Sequence, residues 1–348
     1  MTDLLPGIEA RETATGRLRT AYLTDGRTEG ELVVLVHGNV SSSLFWQETL
    51  LALPEGFRGI APDLRGFGES ETAPVDASRG LRDFSDDLAT LLDELGGGRA
   101  HLAGWSMGGG VVMQLLLDRP DLVASLILVN PVSPYGFGGT KGADGEAASN
   151  DGAGTGGGGA NPEFVAAIEA GDTGDASANS PRNVLNQFYV ADGFRSPLED
   201  VFVASMLTTK IGPDNYPGDS VPSDNWPGFA PGARGVLNTM APGRHDVTGI
   251  VDLAEKPPIL WVRGTKDVIV SDASFFDLAT LGQMGAIPGW PGDDVAPPQP
   301  MVTQTRAVLD AYAAGGGRYV EVALDAGHSP LVEKPQEFHA ALAEHLRG

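Results

Sequence analysis

Apolar residues along this chain come in short continuous runs separated by stretches of periodic, mixed character. Glu31-Leu32-Val33-Val34-Leu35-Val36 ends at His37-Gly38, and so short and unbroken a run suits a strand buried on both faces. Arg58 to Asp63 is a weaker second strand, Ala100 to Trp105 a third and Ser125 to Asn130 a fourth. Between them Leu81, Phe84, Leu88, Leu91, Leu92 and Leu95 recur at helical spacing among acidic residues, an amphipathic helix closed by Gly96-Gly97-Gly98. Ser106 to Arg119 reads as a second helix, stopped by Pro120. Strand–helix alternation of this kind predicts a parallel sheet covered by helices on both faces.

The pattern then breaks. Gly136 to Ala160 is dominated by Gly, Ala, Asp, Ser and Asn, the composition of a mobile loop. Helical fragments such as Phe164–Ile168 and Val201–Leu207 follow, interrupted by Tyr216-Pro217-Gly218 and Asn225-Trp226-Pro227-Gly228-Phe229. Sheet character resumes at Pro258 to Arg263. A Pro/Gly-rich loop over 285–300, a helix from Met301, a strand over Tyr319–Leu324 and a last helix opened by Pro335 complete the chain. The organisation expected is a core domain from 1–130 and 257–348, with 131–256 inserted as a cap.

Composition narrows the chemistry. There is no cysteine, which removes disulfides, thiolate metal sites and a cysteine nucleophile together. A net charge of −23 opposes binding to nucleic acid or anionic membranes. No stretch approaches the roughly 20 apolar residues of a membrane span. Met1 to Pro6 has neither a basic nor a long apolar segment of the secretory type, so a cytoplasmic location is expected. No metal-ligand spacing or phosphate loop is visible, and no cofactor is expected.

The sharpest motif is Gly104-Trp105-Ser106-Met107-Gly108, a G-x-S-x-G placed where a strand ends and a helix begins. A tight turn there projects the serine hydroxyl into a cleft, and the Met107 N–H at the helix start can stabilise an oxyanion. A serine needs a base. His328 directly follows the last strand, where it can reach the carboxyl end of the sheet. His101, His245, His339 and His345 are weaker candidates, the last two expected to be solvated. The base needs an acid, and Asp267 leaves the strand at Ile259–Val262 on the same side. Asp272 competes but reads as the N-cap of the segment after it, and Asn130 stands where a relocated acid could sit. The second oxyanion donor should come from His37-Gly38-Asn39-Val40, with the Asn39 N–H first; His37 itself is expected to hold that turn. Candidate substrate contacts are Val40, Trp46, Trp105, Phe188, Tyr189 and Trp226, each of which could equally pack in a core.

These pieces, together with Asp63-Leu64-Arg65-Gly66-Phe67-Gly68-Glu69-Ser70 and Gly264-Thr265-Lys266-Asp267, stand in the order nucleophile, acid, base. In that order the chain resembles the α/β-hydrolase superfamily, and its esterase-like members with a helical cap in particular. The resemblance implies a mostly parallel eight-stranded sheet flanked by helices, with a large mainly helical cap. It also implies that Asp63 and Arg65 form a structural turn rather than part of the proton relay. The acid-to-base interval and the 126-residue cap are longer than in compact relatives. The expected function is a serine hydrolase acting on a small apolar ester or lactone through an acyl-enzyme. Carbon–carbon bond hydrolysis, aminopeptidase, acyltransferase and cofactor-free haloperoxidase chemistry on the same triad stay open, as does a non-enzymatic receptor. Epoxide hydrolases and haloalkane dehalogenases are disfavoured, because the resemblance implies an aspartate where this chain has Ser106.

Overall fold

The computed structural model describes residues 4–96 and 98–348; Met1 to Asp3 of the N-terminal segment and Gly97 of the helix-closing glycine run lie outside them. One sheet contains β1 (Glu9–Ala14), β2 (Arg19–Thr24), β3 (Glu31–Val36), β4 (Phe57–Pro62), β5 (Ala100–Trp105), β6 (Val123–Val129), β7 (Ile259–Gly264) and β8 (Tyr319–Leu324). Their spatial order is β1-β2-β4-β3-β5-β6-β7-β8. β2 runs against both of its neighbours, and the other pairs are parallel. Leu32 to Val36 and every residue of β5 are buried, as continuous apolar runs require of central strands. β8 lies at an edge, and Glu321 there pairs with Arg263 and Arg306, a charged finish that discourages further strand pairing.

Helices α1 (Arg82–Glu94) and α2 (Met107–Asp118) pack on each other, and α2 lies along β5. α1 buries Phe84, Leu88, Leu91 and Leu92, while its Asp83, Asp86 and Asp87 meet Arg17, Arg65 and Arg79. Helices α3 (Met301–Ala314) and α4 (Pro335–Arg347) complete the core, with Phe338 of α4 fully buried.

The segment between β6 and β7 is of mixed structure, where the sequence pointed to a mainly helical insert. Helices Pro162–Glu169, Pro181–Val184 and Glu199–Leu207 and a π-helical turn Leu185–Tyr189 alternate with three two-stranded sheets. Proline and glycine punctuation between 212 and 232 cuts the elements there to two or three residues. Phe164, Ile168, Leu185, Phe202, Met206 and Met240 join the same buried cluster as the sheet, so the insert carries no separate core. Backbone bonds also stitch it down, among them Lys210 N to Gly66 O at 2.8 Å and Val75 N to Asp214 O at 2.9 Å.

The glycine-rich segment is packed, not loose as its composition suggested. A Cβ on Gly157 would lie 2.7 Å from the carbonyl oxygens of Gly218 and Asp219, and one on Gly158 would lie 2.5 Å from the Phe229 ring. Gln304 of α3 reaches in to donate to Thr140 Oγ1 and Gly142 O, both at 3.0 Å. Composition does not separate glycine used for freedom from glycine used for close approach.

Candidate active site

Ser106 is the single residue between β5 and α2, at φ 58° and ψ −121°, a conformation that L-residues avoid. Glycines make it possible. A Cβ on Gly104 would run into the Gly108 carbonyl, and one on Gly108 would run into the ends of β3 at Val36 and His37. The turn is clamped to the end of β6, for Ser106 N donates to Val129 O at 2.9 Å and Val132 N to Ser106 O at 3.0 Å. Ser106 keeps partial exposure, while Asp267 and His328 are buried.

His328 and Asp267, 61 residues apart in sequence, meet with Nδ1 to Oδ2 at 2.8 Å. The other carboxylate oxygen accepts the N–H groups of Ile269 at 2.7 Å and Val270 at 3.1 Å. An acceptor facing Nδ1 assigns the proton to that nitrogen and leaves Nε2 as the basic one. No hydrogen bond joins Ser106 Oγ to His328 here; contacts of this kind commonly close only with substrate bound.

Three side chains hold the His328 loop from behind. Asn130, at φ 39°, donates to His328 O at 2.8 Å and Gly327 O at 3.1 Å, and accepts from Gly264 N at 3.0 Å. The amide therefore ties the base loop to the end of β7 through backbone groups and does not touch the imidazole nitrogens. Trp105 Nε1 donates to the same His328 carbonyl at 2.8 Å. Glu333, which the sequence reading passed over, accepts from Gly327 N and from Ala191 N of the insert, both at 2.8 Å. Burial pushes its carboxyl above the usual range. Its one sequence signal is a carboxylate directly after the apolar Pro330-Leu331-Val332.

On the opposite side lies the turn Gly38–Val40. A Cβ on Gly38 would stand 2.9 Å from Ser106 Cβ, which places this turn against Ser106. Val40 adopts φ 46°. His37 accepts the Leu64 N–H at Nε2, 3.0 Å, and donates from Nδ1 to Gly38 O, 2.7 Å. Burial lowers its imidazole to about 4, so it is a neutral strut. Met107 opens α2, so its N–H has no acceptor one turn earlier in the helix. Tyr189 of the insert donates to Asn39 O at 3.0 Å and fixes the turn from above. Asp63 accepts from Ser43 N and Glu69 N, and Arg65 forks onto Asp87; both side chains build the turn beside the cleft.

The remaining candidates divide. Trp105 and Tyr189 stack edgewise at 5.8 Å, and Val40 lies beneath Tyr189. Trp46 is fully buried against Phe338, outside the site; its neighbour Phe45 is the one that meets Trp105 at 5.0 Å and Phe202 at 4.3 Å. A 3-10 turn over Ser43–Trp46 decides between them, and periodicity gives no sign of it. Trp226 also lies away from the site, its Nε1 donating to Pro288 O at 2.9 Å. Phe188 lines a cavity of about 280 Å³ that begins at Asn39 and Tyr189; Ser106 and His328 are not among its walls.

The other histidines are structural. His101 bridges Ser125 and Glu31. His245 is buried beside Gly110, with its imidazole lowered to about 4 by burial. His339 and His345, expected to be solvated, are half-buried, and that burial lowers each to about 4. Asp272 caps α3 rather than its own following segment, accepting from Val302 N at 2.8 Å and Thr303 N at 3.0 Å. Among the described residues, no cluster of three or more His, Asp or Glu could hold a metal ion, and no helix is long and apolar enough to cross a membrane.

Sheet order, elbow and site together define the chain as an α/β-hydrolase-fold protein. The alpha/beta hydrolase fold family matches residues 31–150, from β3 into the insert. The RutD protein of Variovorax paradoxus, named as a carbamate hydrolase, is 46% identical over 110 residues, 31% of this chain and 41% of that protein. Carboxylesterase YbfK of Bacillus subtilis is 29% identical over 127 residues, 36% of this chain and 43% of that protein. The chain thus matches less than half the length of either relative. The crystal structure of the enol-lactonase from Burkholderia xenovorans superposes over 97% of this chain and all of that one, with a TM-score of 0.60 at 21% identity, a likeness of fold.

Proposed function

We propose that this chain is a serine hydrolase that cleaves a carboxylic ester or lactone through an acyl-enzyme on Ser106. The observation that carries this reading is the strained Ser106 at the elbow, on the same sheet end as the hydrogen-bonded His328–Asp267 pair. Ser106 Oγ attacks the carbonyl carbon while His328 Nε2 takes its proton. Asp267 supports the imidazolium, and the Met107 and Asn39 N–H groups receive the oxyanion. His328 then gives its proton to the departing alkoxide. Water, deprotonated in turn by His328, attacks the acyl-enzyme and releases the acid. Each oxyanion donor contributes about 3–4 kcal/mol in sites of this kind.

The competing aminopeptidase reading loses support from the structure. Glu199 and Asp200, two acidic residues of the insert that could have gripped a free amine, are both engaged by Arg182. A carbamate carbonyl, suggested by the name of the RutD relative, presents the same acyl-transfer problem and belongs in the same test. A fluorophosphonate probe should label the folded wild type and not Ser106→Ala, and a panel of esters, lactones, carbamates and amino-acid amides should show which acyl group turns over. Absence of labelling on folded wild-type protein overturns the nucleophile assignment.

A further inference from the structure

The cavity next to the site has walls that say more than its position does. Five phenylalanines and two tyrosines line it: Phe137, Phe164, Phe188, Phe275 and Phe276, with Tyr189 and Tyr216. Leu237, Met240 and Leu281 fill the gaps, and no lysine or arginine is present. The one acidic wall residue, Asp277, is fully used, its oxygens accepting from Ala279 N at 3.1 Å and Gln299 N at 2.8 Å. The walls come from several segments: the glycine-rich stretch with Phe137, the insert from Phe164 to Met240, and Phe275 to Leu281 after Asp267. Phe188 and Phe276 close one side as an edge-to-face pair at 5.2 Å.

Asn39, Thr155, Asn161 and Asn179 also bring polar groups to the wall, the last three hydrogen-bonded to neighbouring protein groups. Tyr216 is 5% exposed, and its hydroxyl makes no hydrogen bond within the described residues, in contrast to Tyr189, which is anchored on Asn39 O. The hydroxyl oxygen keeps a little accessible surface, so solvent supplies its partner in the free protein. A ligand oxygen in the cavity would take the place of that solvent.

We propose that this cavity is the subsite that selects the substrate, and that it takes an uncharged, ring-bearing group with an oxygen paired to Tyr216. The inference rests on the acyl-enzyme reading of Ser106. Anionic groups are excluded because the lining offers them no cation and the protein's net charge of −23 repels them. Aromatic walls favour rings through offset and edge-to-face contacts beyond simple area burial. The reacting carbonyl sits at the Asn39 end, where cavity and oxyanion turn meet.

The test follows acid release from ethyl butyrate, ethyl phenylacetate, 2-phenylethyl acetate and the 4-methoxy form of each ring ester, using the full chain. Wild type should turn over at least one ring ester with kcat/KM tenfold or more above ethyl butyrate. Leu281→Trp, which fills the cavity from a half-buried position, should cut that ratio at least tenfold; Phe276→Ala, at a side already 40% exposed, should cut it about threefold. Tyr216→Phe should abolish the advantage of the methoxy compound over its parent. Ratios unchanged in all three variants, with hydrolysis still dependent on Ser106, overturn the subsite. Loss of Ser106-dependent turnover of every ester in the wild type overturns the hydrolase reading instead.

Discussion

The carboxyl end of the sheet and the insert above it solve the same problem, holding side chains in fixed positions, by different means. At the sheet end each group is delivered by a strand terminus: the Gly38–Val40 turn by β3, Ser106 by β5, Asp267 by β7 and His328 by β8. The ladder of parallel strands fixes those termini relative to one another, so a one-residue turn suffices to aim the serine. In the insert no element exceeds nine residues, and placement falls to side chains that catch irregular backbone, such as Asn238 on Gly157 N or Gln304 on Gly142 O. The first arrangement suits chemistry, which tolerates little displacement.

The largest expected effect tests the rigid half. Asp267→Asn keeps an oxygen for the Ile269 and Val270 N–H groups but turns an amide N–H toward His328 Nδ1, forcing the wrong tautomer. Steady-state kinetics should show kcat lower by about 10⁴-fold with the fold intact. Two glycine substitutions separate close approach from open space. Gly108→Ala pushes a methyl into the carbonyls ending β3 and should cost about 3 kcal/mol or prevent folding. Gly159→Ala, in the insert, meets nothing closer than 4.0 Å and should leave the denaturation midpoint within about 0.5 kcal/mol of wild type.

Acid should reveal the seam between the two halves at His245. Its folded value of about 4 lies below the usual 6.5, so the unfolded chain takes up a proton that the folded chain refuses. Stability is therefore flat above pH 6.5 and falls as pH drops from 6.5 to 4. This group contributes on the order of 3 kcal/mol to that fall. His245→Leu should make the stability–pH curve shallower in that window, with His37, His339 and His345 supplying the rest of the slope, as read by urea denaturation; an unchanged slope would count against a buried neutral ring. The smallest effect is at the join itself. Tyr189→Phe removes the bond to Asn39 O and should cost about 1 kcal/mol of stability, with kcat/KM reduced severalfold through a looser oxyanion turn.

The legibility of the two regions differs in the same sense. Leu32–Val36 and the G-x-S-x-G at Ser106 announce themselves because continuous apolar runs and turn glycines are local signals. Asp267 and His328 could be placed at one sheet end because each directly follows a readable strand. Trp46 and Phe45 exchanged roles because a 3-10 turn rotates successive residues in a way that spacing does not show. Glu333 and Asn130 were opaque as supports of the base because their partners are backbone groups distant in sequence or in another element. The glycine-rich segment misled, since the atoms that its glycines make room for lie dozens of residues away.

By itself, then, the sequence determined the alternation of strands and helices, the elbow, and the order in which Ser106, Asp267 and His328 arrive at the sheet end, because these depend on neighbours a few residues apart. Only the tertiary structure decided that Asp267 and His328 meet at 2.8 Å, that Asn130 and Glu333 hold the His328 loop, and that segments of the insert and the stretch after Asp267 close around an aromatic cavity. Those outcomes depend on contacts between distant segments, which hydrophobic spacing along one segment cannot encode.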